Sequence, residues 1–141
     1  MLFRSRAVRP LAPPEECCSE EDIRQRKPRI LLTNYRQLEV LATRLPDVLL
    51  FADAPLRYLV FDEAHTYGGA TGAEVACLIR RVRSLAGKTA DEITCVGTSA
   101  TLSDPTRKGD DDGTARRFAS RFFGVDPDHV TLVGESYVSR E

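Results

Sequence analysis

Short apolar runs alternate along the chain with longer stretches in which apolar residues recur every three to four positions. Residues 29–33, Arg29-Ile30-Leu31-Leu32-Thr33, read as a buried strand, after which Leu38, Leu41, Ala42 and Leu45 recur at helical spacing until Pro46. Residues 57–61 form a second such run, ending in Tyr58-Leu59-Val60-Phe61. A loop with Gly68, Gly69 and Gly72 separates it from Val75, Leu78, Ile79 and Val82, whose i, i+3, i+4, i+7 spacing predicts the clearest amphipathic helix of the chain. Residues 93–97 predict a third strand. Ala115, Phe118, Ala119, Phe122 and Phe123 mark a last helix that Gly124 can close, because glycine takes up left-handed backbone freely. Residues 130–133 predict a short fourth strand. Strands separated by helices imply parallel pairing through crossovers, and so a layered α/β fold.

Composition narrows this picture. Pro10, Pro13, Pro14 and Pro28 interrupt the first 28 residues, so 1–28 are expected to be an irregular lead-in without a core and 29–141 the domain proper. A length of 141 residues with 42% hydrophobic residues suffices for one buried core and excludes a disordered chain. The formal net charge of −1 provides no global field for nucleic acid, so any such contact must come from local clusters. Cys17, Cys18, Cys77 and Cys95 form neither a C-x-x-C pair nor a zinc pattern with histidine, which predicts reduced thiols. No segment has the apolar length of a signal peptide or a membrane span, so the expected setting is the cytoplasm, with no membrane partner.

In open α/β sheets ligands bind beyond the carboxyl ends of the strands, and Thr33, Asp62 and residues 98–101 all fall at such ends. Asp62-Glu63-Ala64-His65 directly follows one apolar run and Ser99-Ala100-Thr101 another. With each residue at about 5% usage, a given four-letter word arises by chance in a chain this long on the order of one time in a thousand. Adjacent carboxylates at the mouth of a buried strand suit a nucleotide hydrolase, which must hold a metal and an attacking water. By themselves Ser99 and Thr101 read equally well as turn or N-cap residues before Asp104-Pro105. Arg80, Arg81 and Arg83 read as a charged helix surface, and His129, beside Asp126-Pro127-Asp128, as a surface histidine. Two lookalikes fail. Gly87-Lys88-Thr89 has Val82 where a phosphate loop needs its first glycine and follows a helix, not a strand. Asp110-Asp111-Asp112-Gly113 has Lys108 and Ala119 at the first and last calcium-ligand positions.

The ordered set resembles the first motor domain of superfamily 2 helicases of the DEAD/DEAH class. Val60-Phe61-Asp62-Glu63-Ala64-His65 is similar to their motif II, Thr98-Ser99-Ala100-Thr101 to motif III and Leu32-Thr33-Asn34 to motif Ib. The resemblance covers residues 29–133, and Thr66-Tyr67-Gly68-Gly69 resembles bacterial helicases of repair and phage-defence type. It implies a partial RecA-like (P-loop NTPase) three-layer sandwich with a mostly parallel sheet, and an ATP-dependent helicase using ATP and Mg2+ on nucleic acid, DNA ahead of RNA. Asp62 would then hold Mg2+, usually through water, and Glu63 would orient and polarise the attacking water. His65, Ser99 and Thr101 would couple nucleotide state to domain movement, and Thr33 and Asn34 would touch the nucleic-acid backbone.

The family pattern is incomplete here. No G-x-x-x-x-G-K-[ST] precedes Asp62, and there is no second motor domain with its arginine finger. The expected partner is therefore the remainder of a helicase chain, including the phosphate loop and second motor domain. Without the phosphate-loop strand the sheet should carry an exposed edge, and the chain alone should not turn over ATP. The competing readings are a nucleic-acid-binding module without hydrolysis and a metal-dependent phosphoesterase using Asp62, Glu63 and His65.

Overall fold

The computed structural model describes Cys17 and residues 19–52, 54–99 and 111–134. The chain divides into two compact units, Met1–Leu50 and Phe51–Glu141.

The first unit contains α1 (Glu20–Arg26), α2 (Tyr35–Leu41) and α3 (Leu45–Val48). Helix α1 lies inside the segment expected to be irregular, and its causes are local. Ser19 caps it by accepting the Asp22 N–H at 3.1 Å. Glu20, Glu21 and Asp22 stand in its first turn, with Arg24 and Arg26 in its last, an order that favours the helix dipole. None of its residues is buried, so charge rather than apolar contact ties it down. Arg24 Nε donates to Asp47 Oδ1 at 2.6 Å, and Arg44 Nε lies 3.4 Å from Oδ2 of the same carboxylate, which is 1% exposed.

Residues 29–33 do not form the expected strand. Ile30 is 78% and Leu32 92% exposed, and no described strand pairs with them. An apolar run becomes a strand only where a neighbouring edge accepts and donates its backbone hydrogen bonds. Pro46, expected to end a helix, instead sits in the first turn of α3, where its missing N–H has no partner to lose.

The second unit holds β1 (Tyr58–Phe61), α4 (Gly69–Leu85), β2 (Thr94–Gly97) and α5 (Asp111–Phe123). The strands pair in parallel, from Tyr58 opposite Thr94 to Phe61 opposite Gly97, and α4 lies on the crossover between them. The chain is thus α/β, with a small parallel sheet. Residues 130–133 carry no strand; they follow a 3-10 turn at Pro127–His129. The stripe Val75, Leu78, Ile79 and Val82 is buried, as its spacing predicts. No helix among the described residues is long and apolar enough to cross a membrane.

Aromatic packing joins β1 to α5. The Phe61 ring meets Phe122 edge-on, centroids 5.4 Å apart, and lies 6.0 Å from Phe123. Tyr67 stacks on the same Phe122 at 5.7 Å. On the other side of β1, Tyr58 and Val60 are 64% and 65% exposed, so one face of this sheet is open. Arg83, expected on a charged surface, is buried. Arg80 is exposed as expected, but its guanidinium donates to Ala76 O at 2.6 Å and Arg121 O at 3.1 Å, linking α4 to the end of α5. Gly124, at φ 65°, closes α5, and a Cβ there would stand 2.7 Å from the Arg80 guanidinium and 3.0 Å from that of Arg83.

Candidate functional site

Register creates the site. Because Phe61 pairs with Gly97, the next residues, Asp62 and Thr98, leave the sheet side by side. Thr98 N–H donates to Phe61 O at 3.0 Å, and Ala64 N–H donates back to Thr98 O at 2.8 Å, extending the ladder past the strand ends. The side chains continue it. Thr98 Oγ1 donates to Asp62 Oδ1 at 2.5 Å, and both of these oxygens lie 3.1 Å from the Glu63 amide nitrogen, which donates to them.

Glu63 takes up the left-handed conformation, φ 50° and ψ 46°, which costs a non-glycine residue roughly 1–2 kcal/mol. That turn sends Ala64 inward, where it is buried, and leaves Glu63 in solvent with its side chain 54% exposed. Thr66 secures the turn from the far side, its Oγ1 and N–H both donating to Glu63 O at 2.8 and 2.9 Å. A side chain at Gly97 would crowd this turn, with a Cβ 3.1 Å from Ala64 Cβ and 3.2 Å from Phe123 Cζ.

His65 connects the two chain segments. Its Nδ1 lies 3.0 Å from Ser99 Oγ and 3.2 Å from Glu63 Oε2. One ring nitrogen thus faces a hydroxyl that can donate or accept and a carboxylate that accepts, so the tautomer decides which contact is a hydrogen bond.

Asp62, Glu63, His65 and Ser99 therefore form one cluster. Thr101 lies outside the described residues. Thr33 and Asn34 belong to the first unit, where Asn34 caps α2 by accepting the Gln37 N–H at 2.9 Å, and Thr33 Oγ1 donates to Asn34 O at 3.2 Å. In the sequence Thr98 stands at a strand end and opens the motif III match, but nothing there gives it a role of its own. The signal that singles it out is register, one step beyond a strand that pairs with the strand ending before Asp62.

The donor set bears on a cation. Asp62 Oδ1 is occupied by its two hydrogen bonds, which leaves Oδ2 as a hard oxygen acceptor on an exposed carboxylate. No group of three or more His, Cys, Asp or Glu residues suited to a metal occurs among the described residues. One carboxylate oxygen fits Mg2+, which keeps much of its water and takes other oxygens from phosphate. Cys95, on β2, is no activated nucleophile: burial pushes its thiol up, against a smaller opposing pull from Arg83. The Gly87-Lys88-Thr89 segment binds a carboxylate of its own chain. Thr89 N–H and Oγ1 donate to Glu92 at 2.8 and 2.9 Å, with Lys88 Nζ at 3.0 Å.

Two curated relatives match. The Druantia protein DruE of Escherichia coli (strain UMEA 4076-1) is 36% identical over 121 residues, 79% of this chain. An uncharacterized ATP-dependent helicase, YprA of Bacillus subtilis (strain 168), is 35% identical over 83 residues, 57% of this chain. The chain is similar to a helicase-related family. It spans 6% of the length of the first relative and 11% of the second. No family model matches it, and no solved structure does.

Proposed function

We propose that this chain carries the hydrolysis and coupling segments of an ATP-dependent nucleic-acid helicase or translocase, within a partial RecA-like domain at residues 29–141. What supports it most is the convergence of Asp62, Glu63, His65 and Ser99 at the carboxyl ends of two parallel strands. The name of the Bacillus relative points the same way. The phosphate loop and second motor domain would come from the rest of a longer cytoplasmic protein.

Asp62 would hold Mg2+ through water, and the bound ion would neutralise charge on the nucleotide phosphates. Glu63 would orient and polarise the attacking water. Its carboxylate meets His65 at 3.2 Å while that of Asp62 meets Thr98 at 2.5 Å, so the two acids have different partners and need not share one ligand position. His65 and Ser99, with Thr101, would pass nucleotide state on through hydrogen bonds that reverse direction with the imidazole tautomer. Thr33 and Asn34 would touch the nucleic-acid backbone, with DNA ahead of RNA, a contact that positions a strand without reading its sequence. A phosphoesterase that held its metal by protein groups alone would need several clustered ligands, and the described residues offer no such group.

The test is made in the full-length protein by measuring nucleotide affinity and single-turnover hydrolysis for Asp62→Asn and Glu63→Gln. Asp62→Asn should weaken Mg2+-dependent nucleotide binding. Glu63→Gln should preserve binding while hydrolysis falls by at least about 10²-fold, the lower range for a positioned proton-transfer group. Hydrolysis by Glu63→Gln at the parent rate would refute the assignment.

A further inference from the structure

Thr98 opens the motif III match without a role of its own, although it touches both members of the acidic pair. We propose that Thr98 is a positioning residue: its hydroxyl engages Asp62 Oδ1, which reserves Oδ2 for a hydrated cation, and holds Glu63 in its left-handed turn. The metal half of this rests on the function proposed above; the turn half rests on geometry alone.

A single oxygen does both. Thr98 Oγ1 donates to Asp62 Oδ1 at 2.5 Å, a charge-assisted bond, and accepts the Glu63 N–H at 3.1 Å. The Thr98 backbone is fixed independently by its N–H on Phe61 O and by its carbonyl, which accepts from Ala64 N–H, at 3.0 and 2.8 Å. The hydroxyl therefore projects from an anchored frame, and β-branching limits the directions it can take. The three-point arrangement of Asp62 Oδ1, Thr98 Oγ1 and Glu63 N closes on itself. Removing the hydroxyl frees Asp62 to rotate and leaves the Glu63 amide one acceptor. Because Thr98 is exposed, its loss alters carboxylate orientation without opening a cavity.

The experiment uses the full chain by NMR, with Mn2+ alone as the probe, and compares Thr98→Val, Thr98→Ser and Asp62→Asn. In Thr98→Val the Glu63 amide should exchange with solvent about three- to tenfold faster, the range expected for one hydrogen bond. The Mn2+ concentration needed for half-maximal broadening of the Asp62 and Glu63 signals should rise about tenfold, as for other groups that orient a metal ligand. Thr98→Ser restores the hydroxyl and should match the parent in both. Thr98→Ser behaving like Thr98→Val, or Thr98→Val matching the parent, overturns the proposal. Asp62→Asn separates the two layers. If it keeps the full Mn2+ effect, Asp62 does not hold the metal, directly or through water, and both the metal assignment and the metal half of this inference fall; Glu63 exchange then decides the turn. Should Thr98→Val not fold, the unsubstituted chain still decides: a Glu63 amide exchanging at the rate of a free peptide overturns the proposal, and protection that Thr98→Ser retains supports it.

Discussion

His65 Nδ1 stands 3.0 Å from Ser99 Oγ across 34 residues of sequence, so the turn after one strand and the exit of its neighbour are joined by side chains as well as by backbone. In the proposed motor, Ser99→Ala would leave the imidazole facing Glu63 alone, at 3.2 Å. Nucleic-acid stimulation of ATP turnover should then drop by about 5-fold or more, the lower end of coupling between sites, with nucleotide affinity unchanged. Steady-state turnover of the full-length protein, with and without single-stranded DNA, checks it; undiminished stimulation would remove Ser99 from the coupling path.

Backbone and side chain at Glu63 make opposite demands. Its φ of 50° favours glycine, so Glu63→Gly should melt within about 1 kcal/mol of the parent, relief of left-handed strain being offset by the greater freedom of the unfolded chain. A β-branched replacement, Glu63→Val, should destabilise beyond the parent, because branching at Cβ is least tolerated in left-handed backbone. Thermal unfolding of the two variants measures this directly. In the proposed motor, Glu63→Gly should nonetheless lower hydrolysis at least as far as Glu63→Gln does, because the carboxylate proposed to orient water is gone.

Gly72 and Gly68 should respond in opposite directions. A Cβ at Gly72 would lie 2.5 Å from the backbone oxygen of Tyr67, which cannot swing aside, so Gly72→Ala should destabilise by about 1–3 kcal/mol. Gly68 is the N-cap of α4, with φ −105° and open space around it, so Gly68→Ser should gain a few tenths of a kcal/mol. Paired denaturant titrations decide the matter, and equal midpoints for the two variants would show that the 67–72 turn yields.

Glu92 supplies an acid-range signature. The Thr89 N–H, then Lys88 and the Thr89 hydroxyl, hold its carboxyl down at about 2. A depressed folded value means stability that is present above the ordinary carboxylate range and lost as pH falls toward 2. Glu92→Gln should therefore flatten the dependence of the melting temperature on pH between about 4.5 and 2 and leave its shape above that window unchanged. Carboxyl NMR titration of Glu92 provides the independent check.

Where information is local, the sequence alone determined the structure. Val75, Leu78, Ile79 and Val82 fall on one side of a helix whatever it packs against, and they are buried in α4. Gly124 ends α5 because its left-handed φ suits glycine. The acidic pair was legible as a motif after an apolar run, and so was its distance along the chain from Ser99. Tertiary structure decided what depends on pairing. Residues 30–32 are as apolar as a strand yet form none among the described residues, since a strand is completed by the hydrogen bonds of another segment. Arg83 is buried where its composition suggested a surface, because the packing of α4 and not residue type sets which side faces in. The placement of Asp62 against Thr98, with Glu63 turned left-handed between them, is a matter of register. A shift of one residue in that pairing would send every side chain to the opposite face while leaving the sequence pattern untouched.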